Sequence, residues 1–461
     1  TKLIASNGGG SGAIVYDVFA SLSVVDLKVQ DDLTVTDDLI VNGDIDLEGS
    51  IDVNGTSNLN IVDIDGAVNF AADVTFADGA DIITASAGNN NTRVGTNAGF
   101  SIASGGNSNV CIGDEAGRSL TTGDANVALG HEALYFEDAH GYNTAVGYRA
   151  LKTLNAGADS RNTAVGSLAG AATTTGADNT FIGSLAGDAN TTGGANTAVG
   201  SSALTTATTA DSNTAIGYNA LGANTTGATN TAVGRNALDA NTTGVNNVAV
   251  GVNALDDSTT GDQNTALGTS TLANNTTADN NTAVGHSALF DNTTGANNTA
   301  IGTLSLANNT TGTRNNALGY LALDVNTTGD NLVAIGSQAL QSNTTADDNT
   351  AVGYAALNVN TTGTYGTAVG RTALVANTTG NYNVALGGDA LKSNTTAANN
   401  TAVGTASMFT NTTGANNTAV GFQALRANTT ASNNTGVGYN ALIANTTGAN
   451  NIAVGGLALD A

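Results

Sequence analysis

Three histidines and one cysteine are the side chains of this protein best suited to acid–base, nucleophilic or metal chemistry. His131 and His286 each follow a glycine, and His140 lies in a turn-forming stretch. None of them has a nucleophile and an orienting acid at the spacing that a catalytic constellation needs. The glycines form neither a phosphate-binding loop nor a dinucleotide fingerprint. The sequence therefore predicts a protein that is not an enzyme and uses no cofactor.

Cys111 is the only cysteine, which excludes an intrachain disulfide framework and a cysteine metal cluster. It stands in Asn-Val-Cys-Ile-Gly, where most equivalent stretches read Asn-Thr-Ala-Val-Gly, so it replaces a small alanine. We expect a packed side chain, and the alternative is a reactive or interchain thiol.

Acidic and amide side chains suggest two further kinds of site. Asp44, Asp46, Asp63 and Asp65 would suit Ca²⁺ if identical chains brought them together, but a solvated acidic face is the favoured interpretation. Asn-Thr-Thr recurs along the chain, for example at Asn224, and is formally a glycosylation acceptor. We interpret it instead as a former of turns and side-chain ladders.

Aromatic residues recur at one place, directly after a glycine. On an exposed ridge they would stack on the sugars of a host surface, whereas the competing interpretation is that they fill grooves between coils or chains. These candidate surface-contact residues are Tyr148, Tyr218, Tyr320, Tyr354, Phe422 and Tyr439.

A repeat of 17 residues positions all of these side chains. Its marker is the glycine of Thr-Ala-Val-Gly and related motifs, which occurs 22 times. The spacings from Gly95 are first 18, 17, 17 and 19 residues, and then 17 without interruption from Gly166 to Gly455. We assign these glycines to structural turns, among them Gly166, Gly183, Gly200, Gly217, Gly234, Gly251, Gly268, Gly285 and Gly302.

The consensus unit reads Asn-Thr-Ala-Val-Gly-x-x-Ala-Leu-x-x-Asn-Thr-Thr-Gly-x-Asn. Its β-branched residues, its glycines and the absence of a helical period predict two short strands in each unit. Stacked units would place valine over valine and leucine over leucine, with ladders of asparagine and threonine. The predicted fold is therefore all-β, a β-solenoid or β-roll of about 22 coils, roughly 100 Å long at about 4.8 Å per coil.

Alternation along the strand puts valine and alanine of each unit on opposite faces. We expect one face to fill the coil and the small alanine face to lie against another chain. A parallel homotrimer is the favoured arrangement.

Composition limits the partners of the protein. The chain of 461 residues has 59 glycines, no proline, and a formal net charge of −25. Residues 1–88 carry 15 acidic and 2 basic side chains. This charge disfavours contact with nucleic acid and anionic membranes, and the apolar runs are far shorter than the roughly 20 residues of a membrane span. We expect neither nucleic acid binding nor membrane insertion.

Three segments differ in character. Residues 1–24 are predicted to be a flexible attachment segment, residues 25–88 an acidic region of short, intertwined strands, and residues 89–461 the solenoid shaft. The second segment alternates apolar and polar residues around Asn-Gly and Asp-Gly turns, but offers little for a single chain to bury. The chain stops at Ala461, within a unit, and we expect a further domain or a partner to cover the last coil.

The repeat units, lying downstream of DLTVTDDLIVNGDIDLEGSIDVNG, resemble the repeat shafts of bacteriophage tail fibre proteins, particularly those of marine phages. They are more distantly similar to the head repeats of trimeric autotransporter adhesins, whose Asn-Ser-Val-Ala-Ile-Gly-x-x-Ser motif shares the asparagine, apolar and glycine pattern. The resemblance covers residues 25–461. It implies a homotrimeric rod that is attached to the virion by its N-terminal end and often carries a self-cleaving C-terminal chaperone. No stretch of this sequence resembles that chaperone or a distinct tip domain.

Two hypotheses of function follow from the repeat and the resemblance. The first is a structural and adhesive fibre, a trimeric shaft on a virion tail. Its partners would be its own copies, tail or baseplate proteins, and a host cell-surface receptor or glycan. The alternative is a bacterial cell-surface adhesin or extracellular filament subunit that assembles through the open end of its solenoid.

Overall fold

A computed structural model of the chain describes residues 87–460. The predictions for residues 1–24 and 25–86, including those for the N-terminal aspartates, lie outside the described residues. The described part contains no helix and has 22 strands of three residues, one to each repeat. The strands are β1 Thr92–Val94, β2 Val110–Ile112, β3 Val127–Leu129, β4 Thr144–Val146, β5 Thr163–Val165, β6 Thr180–Ile182, β7 Thr197–Val199, β8 Thr214–Ile216, β9 Thr231–Val233, β10 Val248–Val250, β11 Thr265–Leu267, β12 Thr282–Val284, β13 Thr299–Ile301, β14 Asn316–Leu318, β15 Val333–Ile335, β16 Thr350–Val352, β17 Thr367–Val369, β18 Val384–Leu386, β19 Thr401–Val403, β20 Thr418–Val420, β21 Thr435–Val437 and β22 Ile452–Val454.

Each strand pairs in parallel with the strands before and after it along the chain. Equivalent residues lie opposite one another, so Val284 of β12 lies between Leu267 of β11 and Ile301 of β13. The coils of 18 and 19 residues keep the same register, with Thr92 opposite Val110 and Thr144 opposite Thr163. The predicted all-β solenoid is confirmed.

Two alanines and one leucine form the core of each regular coil. We number the positions of a coil from 1 to 17, with residues 281–297 as the example. Ala283 at position 3, Ala288 at position 8 and Leu289 at position 9 are each 0% exposed. Because side chains alternate along a strand, position 3 faces inward while positions 2 and 4 face outward. The expectation that the alanine face lies against another chain is therefore wrong, since the leucine leaves room only for a methyl group at position 3.

The second half of each coil consists of turns, and the prediction of a second strand is wrong. Ser287 at position 7 and Leu289 at position 9 have positive φ angles of 52° and 53°, which a strand cannot contain. A left-handed residue costs roughly 1–2 kcal/mol. Burial of the leucine side chain, worth about 1.5–3 kcal/mol, offsets that cost. The Leu289 N–H also donates to the Ser305 carbonyl of the next coil at 3.0 Å.

Two columns of buried asparagine connect successive coils, as the predicted ladders require. At position 1, the N–H of Asn281 donates to Oδ1 of Asn264 and its Nδ2 donates to the Gly295 carbonyl, both at 3.0 Å. At position 12, Nδ2 of Asn292 donates to Oδ1 of Asn275 at 3.0 Å and to the same Gly295 carbonyl at 2.9 Å. Because an unpaired buried amide is costly, each asparagine depends on the neighbouring coil.

Threonine at position 13 links the coils in a different way. The hydroxyl of Thr293 donates to the backbone carbonyl of Thr310 in the next coil at 3.0 Å, and the Thr293 N–H donates to the same oxygen. These threonines therefore bond to the backbone, and not to one another as a side-chain ladder would require.

Glycine replaces the core leucine of position 9 in four early coils. At Gly170, an added Cβ atom would lie 2.7 Å from Cδ2 of Phe181, and at Gly187 it would lie 2.5 Å from Cδ1 of the same ring. At Gly117, an added Cβ would lie 2.7 Å from Sγ of Cys111. A larger residue at position 3 thus takes the space that leucine fills elsewhere, and the core keeps its packing density.

Candidate interaction surface

The marker glycines, at position 5, form the turn that leads out of each strand. All 22 have φ angles between 123° and 145°, a range that side chains disfavour. A Cβ atom on Gly285 would also lie 2.7 Å from the carbonyl oxygen of Gly302 in the next coil. Backbone conformation and the close approach of coils therefore both require glycine here. The turn directs position 6 away from the coil.

Aromatic side chains at position 6 are exposed. Their exposed fractions are 44% for Tyr148, 58% for Tyr218, 52% for Tyr320, 52% for Tyr354, 43% for Phe422 and 57% for Tyr439. Phe422 and Tyr439, in successive coils, stack with ring centroids 5.7 Å apart, and Tyr148 stacks on His131 at 5.6 Å. The other three tyrosines are separated by intervening coils, and no ring stacking joins them within residues 87–460. The six residues therefore do not form one site.

A second aromatic stack was not predicted from the sequence. Tyr365 and Tyr382 occupy position 17 of successive coils, with ring centroids 5.0 Å apart and planes within 5° of parallel. Both rings are more than half exposed. Their spacing of one repeat was the available signal, because equal positions in neighbouring coils lie above one another.

The outward side of the strands is a regular surface. We call positions 2 and 4 of β1–β22 the strand face; position 2 is mostly threonine, and position 4 is valine, isoleucine or leucine. No residue of the strand face is charged, although the chain has a net charge of −25. Leu267, Ile301 and Leu318 are 47%, 39% and 45% exposed. Exposed apolar side chains that recur along one face are typical of an interaction site.

The histidines and the cysteine lie in separate environments. His131 has Nε2 at 3.5 Å from Oδ2 of Asp114, His286 is exposed at position 6, and His140 lies beside a buried glutamate. Cys111 is 0% exposed, and burial raises the pKa of its thiol to about 11. The predicted packed cysteine is confirmed, since such a thiol stays protonated and shielded at neutral pH.

Stacking also brings like charges together. Asp239 and Asp256 occupy position 10 of successive coils, next to Asp257. Burial, and then the charges of Asp239 and Asp257, raise the pKa of Asp256 to about 6. The charge of Arg235 lowers the pKa of Asp256 and offsets part of this rise.

Comparisons with protein-family models, with curated proteins and with solved structures found no match to this chain. Among residues 87–460, no helix could span a membrane. The fold itself defines the class of the described residues, a parallel β-solenoid built from repeats.

Proposed function

We propose that the chain is the shaft of a structural and adhesive fibre, in which three copies associate side by side and hold a host-binding region away from a virion tail. The observation that carries the proposal is the unbroken register of 22 stacked coils. Each added coil lengthens such a stack without changing its cross-section. Almost the whole described sequence consists of one repeated coil, and such a protein is suited to span a distance.

The strand face supports association with further copies of the same chain. It is uncharged along all 22 strands of a strongly acidic protein, so two such faces meet without burying a charge. Its period is the same in every copy, and a contact made at one coil therefore recurs at each following coil. Burial of the exposed position-4 side chains would stabilise the assembly at about 25 cal/mol per Å² of apolar surface.

The exposed aromatic stacks support the adhesive part of the proposal. Phe422 with Tyr439, and Tyr365 with Tyr382, each offer two nearly parallel rings on the outer surface. The faces of such rings are suited to contact the apolar side of a host glycan. Tail or baseplate proteins would bind at the N-terminal end.

The oligomeric state of the full chain tests the side-by-side association. Analytical ultracentrifugation should give three times the chain mass of 45.1 kDa. Combined replacement Leu267→Lys, Ile301→Lys and Leu318→Lys should yield single chains, because it puts like charges in a contact that has none. The matched control is Tyr218→Lys, Val252→Lys and Tyr320→Lys, which replaces residues at position 6 that are at least as exposed and should leave the trimer intact.

Two results would overturn the proposal. A wild-type chain that sediments as a monomer would exclude the trimer. Filaments of chains joined end to end would favour the surface filament instead. Cryo-electron microscopy of the native particle tests the location, since a threefold rod on a virion is expected.

A further inference from the structure

One coil departs from the repeat in residues that can bind a metal ion. In the coil of residues 126–142, Glu137 takes position 12 and Asp138 position 13, where regular coils have asparagine and threonine. His140 takes position 15, where regular coils have glycine or alanine. Three side chains with ligand atoms thus replace neutral residues within one turn.

Glu137 places a carboxylate in the interior of the coil. Its side chain is 0% exposed, and it accepts hydrogen bonds from the N–H groups of His140 at 3.1 Å and Ala156 at 3.3 Å. Burial is the main cause that raises the pKa of Glu137. Within the described residues, the only ion pair of this carboxylate is with His140. A buried carboxylate in a column otherwise made of neutral side chains needs a compensating charge.

The imidazole of His140 faces this carboxylate. Its Nδ1 atom is buried, makes no hydrogen bond, and lies 3.6 Å from Oε1 of Glu137. That separation is too long for a hydrogen bond. It matches the distance of about 3.4 Å between two ligands of a tetrahedral ion with bonds of about 2.1 Å. The ligand atoms of Glu137, Asp138 and His140 all lie within 4.8 Å of one another.

We propose that Glu137, Asp138 and His140 bind one divalent transition-metal ion, with zinc the best match. A mixed set of imidazole and carboxylate ligands suits zinc, whereas Ca²⁺ and Mg²⁺ prefer oxygen alone. Water completes the coordination on the exposed side. The ion stabilises the contact with the next coil, because the Ala156 N–H of that coil donates a hydrogen bond to Glu137. The next coil has 19 residues and is the longest of the described stack. This proposal does not depend on the proposed function.

The repeat itself supplies the test variant. Glu137→Asn with His140→Gly restores the consensus residues at positions 12 and 15, and its thermal unfolding transition shows whether the double variant is folded. The full chain is freed of metal with a chelator and titrated with ZnCl₂ by calorimetry and thermal unfolding. We expect one zinc per wild-type chain and a higher unfolding midpoint. The double variant should bind at least a hundredfold more weakly and lose the shift.

His131→Asn is the control, because His131 also lies near carboxylates but outside the proposed site. This variant should bind zinc as the wild type does, and CaCl₂ should not replace zinc. Equal zinc binding by the double variant would overturn the proposal, as would loss of binding in the His131 variant. The absence of binding to the wild type at micromolar zinc would show that Glu137 and His140 form an electrostatic pair alone.

Discussion

Gly387 and Gly388 are adjacent in sequence but meet different constraints in the fold. Gly387 is a marker glycine with a φ angle of 137°, and an added Cβ atom would lie 2.7 Å from the carbonyl oxygen of Gly404. Gly388 occupies position 6, where an added Cβ would have nothing within 4 Å. A comparison of the two residues therefore distinguishes the effect of the turn conformation from the effect of replacing any glycine.

Alanine substitutions at these two glycines should differ in their effect on stability. Gly387→Ala should lower the free energy of unfolding by about 1–3 kcal/mol, because it combines an unfavourable φ angle with a close contact between coils. Gly388→Ala should change it by less than about 0.5 kcal/mol. Urea denaturation followed by circular dichroism measures both. Equal losses would show that coil contact does not explain the marker glycine.

At the residue scale, the recurrence of glycine predicted where the chain turns. The left-handed leucine of position 9 could not be predicted in this way, because leucine alone avoids that conformation. Its conformation becomes favourable only once the side chain is buried and its N–H bonds to the next coil.

At the scale of the single coil, Phe181 and Gly187 act as one packing unit. The Phe181 ring occupies the place of the leucine that Gly187 replaces, and it also borders Gly170 of the preceding coil. Position 9 is left-handed leucine in most coils, and Gly187 has a similar φ angle of 57°, so its backbone accepts leucine.

Substitution of this pair should give strongly non-additive changes in stability. Phe181→Ala should cost about 3–5 kcal/mol because it leaves a cavity. Gly187→Leu alone should also destabilise, because it collides with the ring. The double variant restores the consensus coil and should be more stable than either single variant. Thermal and urea unfolding of the wild type, the two single variants and the double variant test this prediction. Phe100→Ala changes an exposed residue and is the control, which should be nearly neutral. Additive losses would contradict the pairing.

The first strand of each coil could be predicted because Thr-Ala-Val combines β-branched residues with alternation. Its orientation could not, since alternation shows that alanine and valine face opposite sides without showing which side is interior. The volume inside the coil decides this, and that volume depends on the leucine of position 9.

At the scale of the whole molecule, regular coils should be exchangeable. Deletion of residues 281–348 removes four coils and joins Asn280 to Asn349, which restores the register of strands and asparagine columns. Because each coil contacts only its neighbours, the shortened protein should fold. Electron microscopy should show a stack of coils that is shorter by about 19 Å, at about 4.8 Å per coil.

Deletion of residues 281–289 is the matched control. It removes about half a coil, so the asparagines at the junction lose their partners: Asn298 loses Asn281, and Asn292 no longer lies one repeat after Asn275. This variant should unfold at a lower temperature or aggregate. Comparable stability of the two deletion variants would contradict a nearest-neighbour stack.

The sequence by itself determined the period, the number of coils, the turn glycines and the all-β class, because each follows from equal residues at equal spacing. Tertiary structure decided which strand face is buried, that the second half of each coil is turns, that Tyr365 meets Tyr382, and that Glu137 lies inside a coil beside His140. These features depend on how side chains fill a closed coil and on what lies in the coil above. The period of the sequence alone gives neither the way side chains fill the coil nor the contacts with the neighbouring coil.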